Sequence, residues 1–338
     1  MKLRTTPWDA VGALRRTAKR ARILTRGRER AVAKRPKVLT DAIRGEIVSN
    51  GSSVATYLYE PIGEPEDVTV VFVHGYTLSA ESFFQQVDFL REQWPGVRIL
   101  LLDLRGHGNS AEVPAAECTI EGAAADVRAA IDILAPDGRI VLVGHSLGGP
   151  VSLCVLRRAD AALAERISGF VSVSGSLVEM SRRGLARLLD TDAMSGVLKL
   201  YRAWPESVFH VRQRFSGLVG PVLSVGFFIR HTPVEHIELH AGLIAKTPTA
   251  SLAGFAADLR HHSEFEARTR LVGLPGYVIV GENDYVTPVE QSLLLHRHWP
   301  GSYYQAAPKA GHMLPLEVPG FVNTAIHRLL EHVTGRGA

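Results

Sequence analysis

The chain has 338 residues, 46% hydrophobic and 21% charged, a balance that excludes disordered, collagen-like and low-complexity classes and leaves ample length for a buried core. No run approaches the roughly 18 apolar residues that a membrane-crossing helix requires, and no apolar leader precedes a small-residue cleavage site, so a soluble, non-secreted, cytoplasmic protein is expected. The net charge of +4 is uneven: residues 1–44 hold 14 Lys and Arg against 3 Asp and Glu, and the remainder holds 24 against 31.

In the basic stretch Trp8, Val11, Leu14, Ala18, Ala21 and Leu24 recur at helical spacing, while Arg15, Arg16, Lys19, Arg20, Arg22 and Arg26 take the other positions. This is the pattern of a basic amphipathic helix. Such a helix can lie on an anionic membrane surface, pack its thin apolar stripe on its own body, or act as an Arg-rich, acid-poor targeting segment. The three readings stay open. Nucleic acid is not expected as a partner, because the body is acidic and no aromatic-plus-basic recognition motif accompanies the stretch.

From Glu46 the pattern changes to short strands, 46–48 and 54–59, flanking Asn50-Gly51, a strong hairpin signal because both turn residues tolerate positive φ. Residues 68–73 form an almost continuous β-branched run ending at His74-Gly75, as expected of a strand buried on both faces. There follow a helix over 81–94, a strand 97–102, a helix 120–134, a strand 140–143, a helix 151–163 and a strand 170–173. Strict alternation predicts an α/β fold, a parallel sheet with helices on both faces. From 177 to 271 the alternation gives way to helical stretches broken by Gly-Pro, Thr-Pro and Trp-Pro steps, which reads as an inserted helical cap. Its apolar segments 197–204 and 219–229, with Phe227 and Phe228, are fit to line a pocket for an acyl or alkyl group. Strand 277–280, helix 289–298, strand 302–305 and an amphipathic helix 321–332 complete the chain. The expected organisation is a basic extension (1–44), a core built from 45–176 and 272–338, and a cap (177–271).

Strand 140–143 runs directly into Gly144-His145-Ser146-Leu147-Gly148-Gly149, which matches Gly-x-Ser-x-Gly where a strand turns sharply into a helix. Only residues without side chains fit two positions either side of such a serine, where strand and helix backbones nearly touch. Ser146 is then exposed at a helix N-terminus that favours developing negative charge. A serine hydroxyl is a poor nucleophile without a base and a group that orients the base. Asp284 follows strand 277–280 and His312 follows the last short strand, so all three reach the edge where parallel strands end. Glu282 competes with Asp284 for the acid role, and Asp284 fits the usual spacing from the strand better. Oxyanion donors are expected from the backbone N–H groups of Leu147 and of Tyr76, which follows His74-Gly75. His74, Gly75, Gly144, His145 and Gly148 support the loop and the turn. The two cysteines, Cys118 and Cys154, and the remaining histidines lack metal-ligand spacing, so neither metal nor cofactor is expected.

Together, His74-Gly75-Tyr76, the Asp103 to Ser110 turn, the Gly144 to Gly149 elbow, Asp284 and Gly311-His312 resemble the α/β-hydrolase fold family, over about residues 46–332. The elbow and loop look similar to those of monoacylglycerol-lipase-like and actinobacterial esterases. The resemblance implies a mostly parallel eight-stranded sheet with a helical cap, and an acyl-enzyme formed on Ser146 from a hydrophobic ester. Thioesterases, acyltransferases, cofactor-free haloperoxidases and carbon–carbon bond hydrolases share such a triad, and so remain alternatives. Members with an aspartate nucleophile do not fit Ser146. The non-enzyme alternative is a membrane- or partner-binding module that keeps the fold without turnover.

Overall fold

The computed structural model describes residues 38–179, 203 and 227–336. The basic helix expected within 1–44 and most of the apolar stretches at 197–204 and 219–229 lie outside the described residues. Eight strands form one sheet: β1 (Ile43–Ser49), β2 (Ser52–Tyr59), β3 (Val68–Val73), β4 (Arg98–Leu102), β5 (Arg139–His145), β6 (Ile167–Val173), β7 (Gly276–Gly281) and β8 (Ser302–Ala307). Their order is β1-β2-β4-β3-β5-β6-β7-β8. β1, β2 and β4 pair antiparallel, and every pairing from β4 through β3 to β8 is parallel. Asn50 and Gly51 close the β1–β2 hairpin with φ of +49° and +78°.

The strand order reverses at β3, which lies between β4 and β5. In an open parallel sheet a crevice forms at such a reversal, beyond the carboxyl ends of the strands. All six residues of β3 are buried because both faces are covered. Val71 and Val73 pack with Val127, Ile131 and Val151 of helices α2 (Ile120–Leu134) and α3 (Gly148–Arg158). Val70 and Phe72 face the other layer, with Val87 and Leu90 of α1 (Phe84–Gln93) and Ile326 and Leu329 of the last helix, Pro319–Thr334.

The expected helix 151–163 is two helices. α3 ends at Arg158, and the Asp160 side chain accepts the Leu163 N–H at 2.9 Å, capping a new helix, α4 (Ala161–Arg166). Between β6 and β7 the described residues form α5 (Val234–Lys246), α6 (Thr249–Leu259) and a 3₁₀ segment, Phe265–Arg270. α6 lies against the loops that follow β3 and β4: Leu252 O accepts the Tyr76 hydroxyl (2.7 Å), and Ser251 Oγ donates to Gly106 O (2.6 Å). Among the described residues no helix is long and apolar enough to cross a membrane.

Candidate active site

β5 delivers the chain to Ser146, whose φ of +52° lies in the left-handed region. Its N–H donates to Val173 O (2.9 Å) and its C=O accepts the Gly149 N–H (2.9 Å), so the turn is locked from both sides. The flanking glycines are sterically required. A Cβ on Gly144 would stand 2.4 Å from Gly148 O, and one on Gly148 would stand 1.9 Å from Val73 O. The serine is held just before α3, and at 6% exposure it is buried and not exposed as the turn predicts, because the packed loops around it close over the hydroxyl.

His312, in the loop after β8, and Asp284, in the loop after β7, complete a row. The Ser146 hydroxyl is 2.9 Å from His312 Nε2, and His312 Nδ1 is 2.8 Å from Asp284 Oδ2. Asp284 Oδ1 accepts the N–H groups of Val286 (2.9 Å) and Thr287 (2.8 Å), which aims Oδ2 at the ring. With Nδ1–H donating to the carboxylate, Nε2 is left as the acceptor for the serine proton. Glu282, the competing acid, is exposed and accepts the Lys309 N–H (3.1 Å), outside the row.

The main chain of His312 is also held. Its N–H donates to Phe227 O (3.0 Å), and its C=O accepts Nε2–H of His145 (3.0 Å). The Phe227 ring stands 5.8 Å from the imidazole. His145 is fully buried, and burial first, then the adjacent His312, holds its pKa well below the ordinary histidine value. It is a neutral prop and not a proton carrier.

The loop after β3 touches the elbow: a Cβ on Gly75 would lie 3.1 Å from both Ser146 Cβ and His145 Nδ1. Tyr76 therefore follows the point of contact, and Leu147 follows the serine. His74 clasps this loop to the one after β4, its Nδ1–H donating to Gly75 O (2.8 Å) while Nε2 accepts the Leu104 N–H (2.9 Å). His107 returns the clasp, accepting the Thr77 N–H on Nε2 (3.2 Å) and donating from Nδ1 to Arg105 O (3.1 Å). Burial pulls the two pKa values down to about 4 and about 3.

Two contributors carry roles that the sequence does not give: Asp103, legible there only as the start of the 103–110 turn, and Phe227, legible only as an apolar cap residue. Asp103 accepts from the Tyr57 hydroxyl (2.9 Å), Ala80 N–H (2.8 Å) and Asn109 N–H (2.8 Å), and burial raises its pKa. Its signal in sequence is Gly108, where a Cβ would stand 2.2 Å from the Asp103 carboxylate. Phe227 is the other; its apolar character is visible, its contact with His312 is not.

The sequence profile described as "Alpha/beta hydrolase family" matches residues 70–325. A Mycobacterium tuberculosis protein named "Probable oxidoreductase EphD" is 27% identical over 288 residues, 81% of this chain and 47% of that protein. The chain thus spans about half the length of that relative. "Uncharacterized hydrolase YugF" of Bacillus subtilis is 25% identical over 278 residues, 79% of this chain and 92% of that protein. Among solved structures, a thermophilic esterase from Thermogutta terrifontis superposes with a TM-score of 0.60 at 24% identity, covering 86% of this chain and 99% of that one. That likeness bears on the fold.

Proposed function

The chain belongs to the alpha/beta hydrolase family, and from that premise we propose that it is a serine hydrolase of carboxylic esters bearing an apolar acyl or alkyl group. The observation that carries this reading is the unbroken row from Ser146 Oγ through His312 to Asp284, with links of 2.9 and 2.8 Å. His312 Nε2 takes the serine proton as Oγ attacks the ester carbonyl. The backbone N–H groups of Leu147 and Tyr76 donate to the oxyanion, which α3 favours through its N-terminus. Collapse expels the alcohol, to which His312 returns the proton. Water, deprotonated by the same nitrogen, then cleaves the acyl-enzyme. An apolar substrate is supported by the half-buried Phe227 ring beside the base.

Turnover of p-nitrophenyl acyl esters of graded chain length tests the reading. Ser146→Ala and His312→Ala are expected to lower kcat on the order of 10⁴-fold or more. Ser146→Ala turnover within tenfold of wild type would exclude the mechanism.

A further inference from the structure

Glu317 closes the short helix Leu314–Glu317, five residues beyond His312, and its side chain is turned inward, 8% exposed. Oε2 accepts the Gly311 N–H at 2.9 Å. Oε1 accepts the N–H of Ile229 at 2.8 Å and that of Arg230. One carboxylate therefore ties together two segments that are remote in sequence. The first is the loop immediately before His312. The second is the stretch entering α5, whose Phe227 takes the His312 N–H on its carbonyl (3.0 Å) and sets its ring 5.8 Å from the imidazole. The two segments meet closely, since a Cβ on Gly311 would lie 2.6 Å from Phe227 O.

A buried carboxylate is costly unless its lone pairs are filled, and charged acceptors of backbone N–H groups form the stronger class of hydrogen bond. A glutamine of the same shape cannot replace it. Its amide nitrogen would be turned against at least one N–H donor, leaving a buried donor unpaired. We propose that Glu317 is a positioning residue: it fixes His312 against Ser146 and couples that placement to the Phe227 segment that holds the His312 N–H. The proposal rests on the Ser146–His312–Asp284 reading above.

Glu317→Gln, Glu317→Asp and Ser146→Ala are compared with wild type. The readouts are kcat and KM on one p-nitrophenyl ester, thermal unfolding, and the downfield proton resonance of the His312 Nδ1–H bonded to Asp284. Glu317→Gln is expected to fold and to lose about 10- to 100-fold in kcat, the scale of a misplacement near 1 Å, with KM changed less than about threefold. The resonance should broaden or vanish with it. Glu317→Asp keeps the charge but not the reach, and is expected to fall likewise. Wild-type kcat and an unaltered resonance in both Glu317 variants, with only the thermal midpoint lowered, would overturn the proposal. Failure of both variants to fold would assign Glu317 to the fold instead, and overturn it too. Loss of turnover in Ser146→Ala alongside unaffected Glu317 variants would refute positioning alone, whereas turnover persisting in Ser146→Ala would refute the triad itself.

Discussion

Ser146 occupies a backbone conformation that L-residues avoid, at a cost of about 1–3 kcal/mol, and its neighbours leave the chain no other path. Gly148 is the most constrained of them, because the nearest atom to an added Cβ is a backbone oxygen, Val73 O, which cannot rotate away. Gly148→Ala is therefore expected to lower the thermal midpoint and to reduce the hydrolytic rate at least tenfold, since β3 and α3 must separate and carry Ser146 with them. Unchanged ester turnover in that variant would show that the contact is dispensable. These residues are legible in sequence because a steric rule ties them to the serine within two positions on either side. The preference for Asp284 over Glu282 rests in sequence on spacing alone; in the structure one carboxyl faces the imidazole and the other an exposed backbone N–H. Glu317 gives no such signal, because two of its three partners lie 87 and 88 residues away.

The strands are legible where β-branched residues run together, as in β3, and less so at their ends. β5 extends to His145 and β8 to Ala307, beyond the expected 143 and 305, because pairing with a neighbouring strand and not side-chain type decides those positions. The split between α3 and α4 turns on one cap, Asp160. At the carboxyl ends of β3, β5 and β6, Thr77, Ser146 and Ser174 all have positive φ, so the sharp turns gather at the site. The loops after β3 and β4 are joined by His74 and His107, both buried and neutral. Each histidine has a lowered folded-state pKa, about 4 and about 3, against 6.5 when unperturbed. The unfolded chain thus binds more protons between about pH 6.5 and 4, and stability is lost as pH falls across that window. Replacing His107 with Gln removes one such group. The pH slope of the unfolding free energy there should decrease by about one proton, roughly 1.4 kcal/mol per pH unit, as followed by denaturant titration. An identical slope in both proteins would mean that His107 is already protonated in the folded state.

Over the whole molecule, the sheet order converts sequence distance into contact. Ser146 and His312 are 166 residues apart, yet the loops that carry them follow β5 and β8 at one edge, with Asp284 between them after β7. This convergence is legible, since parallel strands end on a common side and the chain order of the three residues fits it. The stretch between β6 and β7 is legible only as a break in alternation. Its α6 rests on the loops after β3 and β4 through Tyr76–Leu252 and Ser251–Gly106, contacts that depend on tertiary approach and leave no periodic trace. The most direct measurement is to treat the full chain with a fluorophosphonate and locate the adduct by peptide mass mapping. A single phosphonylated site at Ser146 is expected, formed at least a thousandfold more slowly in His312→Ala. An adduct on a different residue, or an undiminished rate in His312→Ala, would contradict a nucleophile activated by that imidazole.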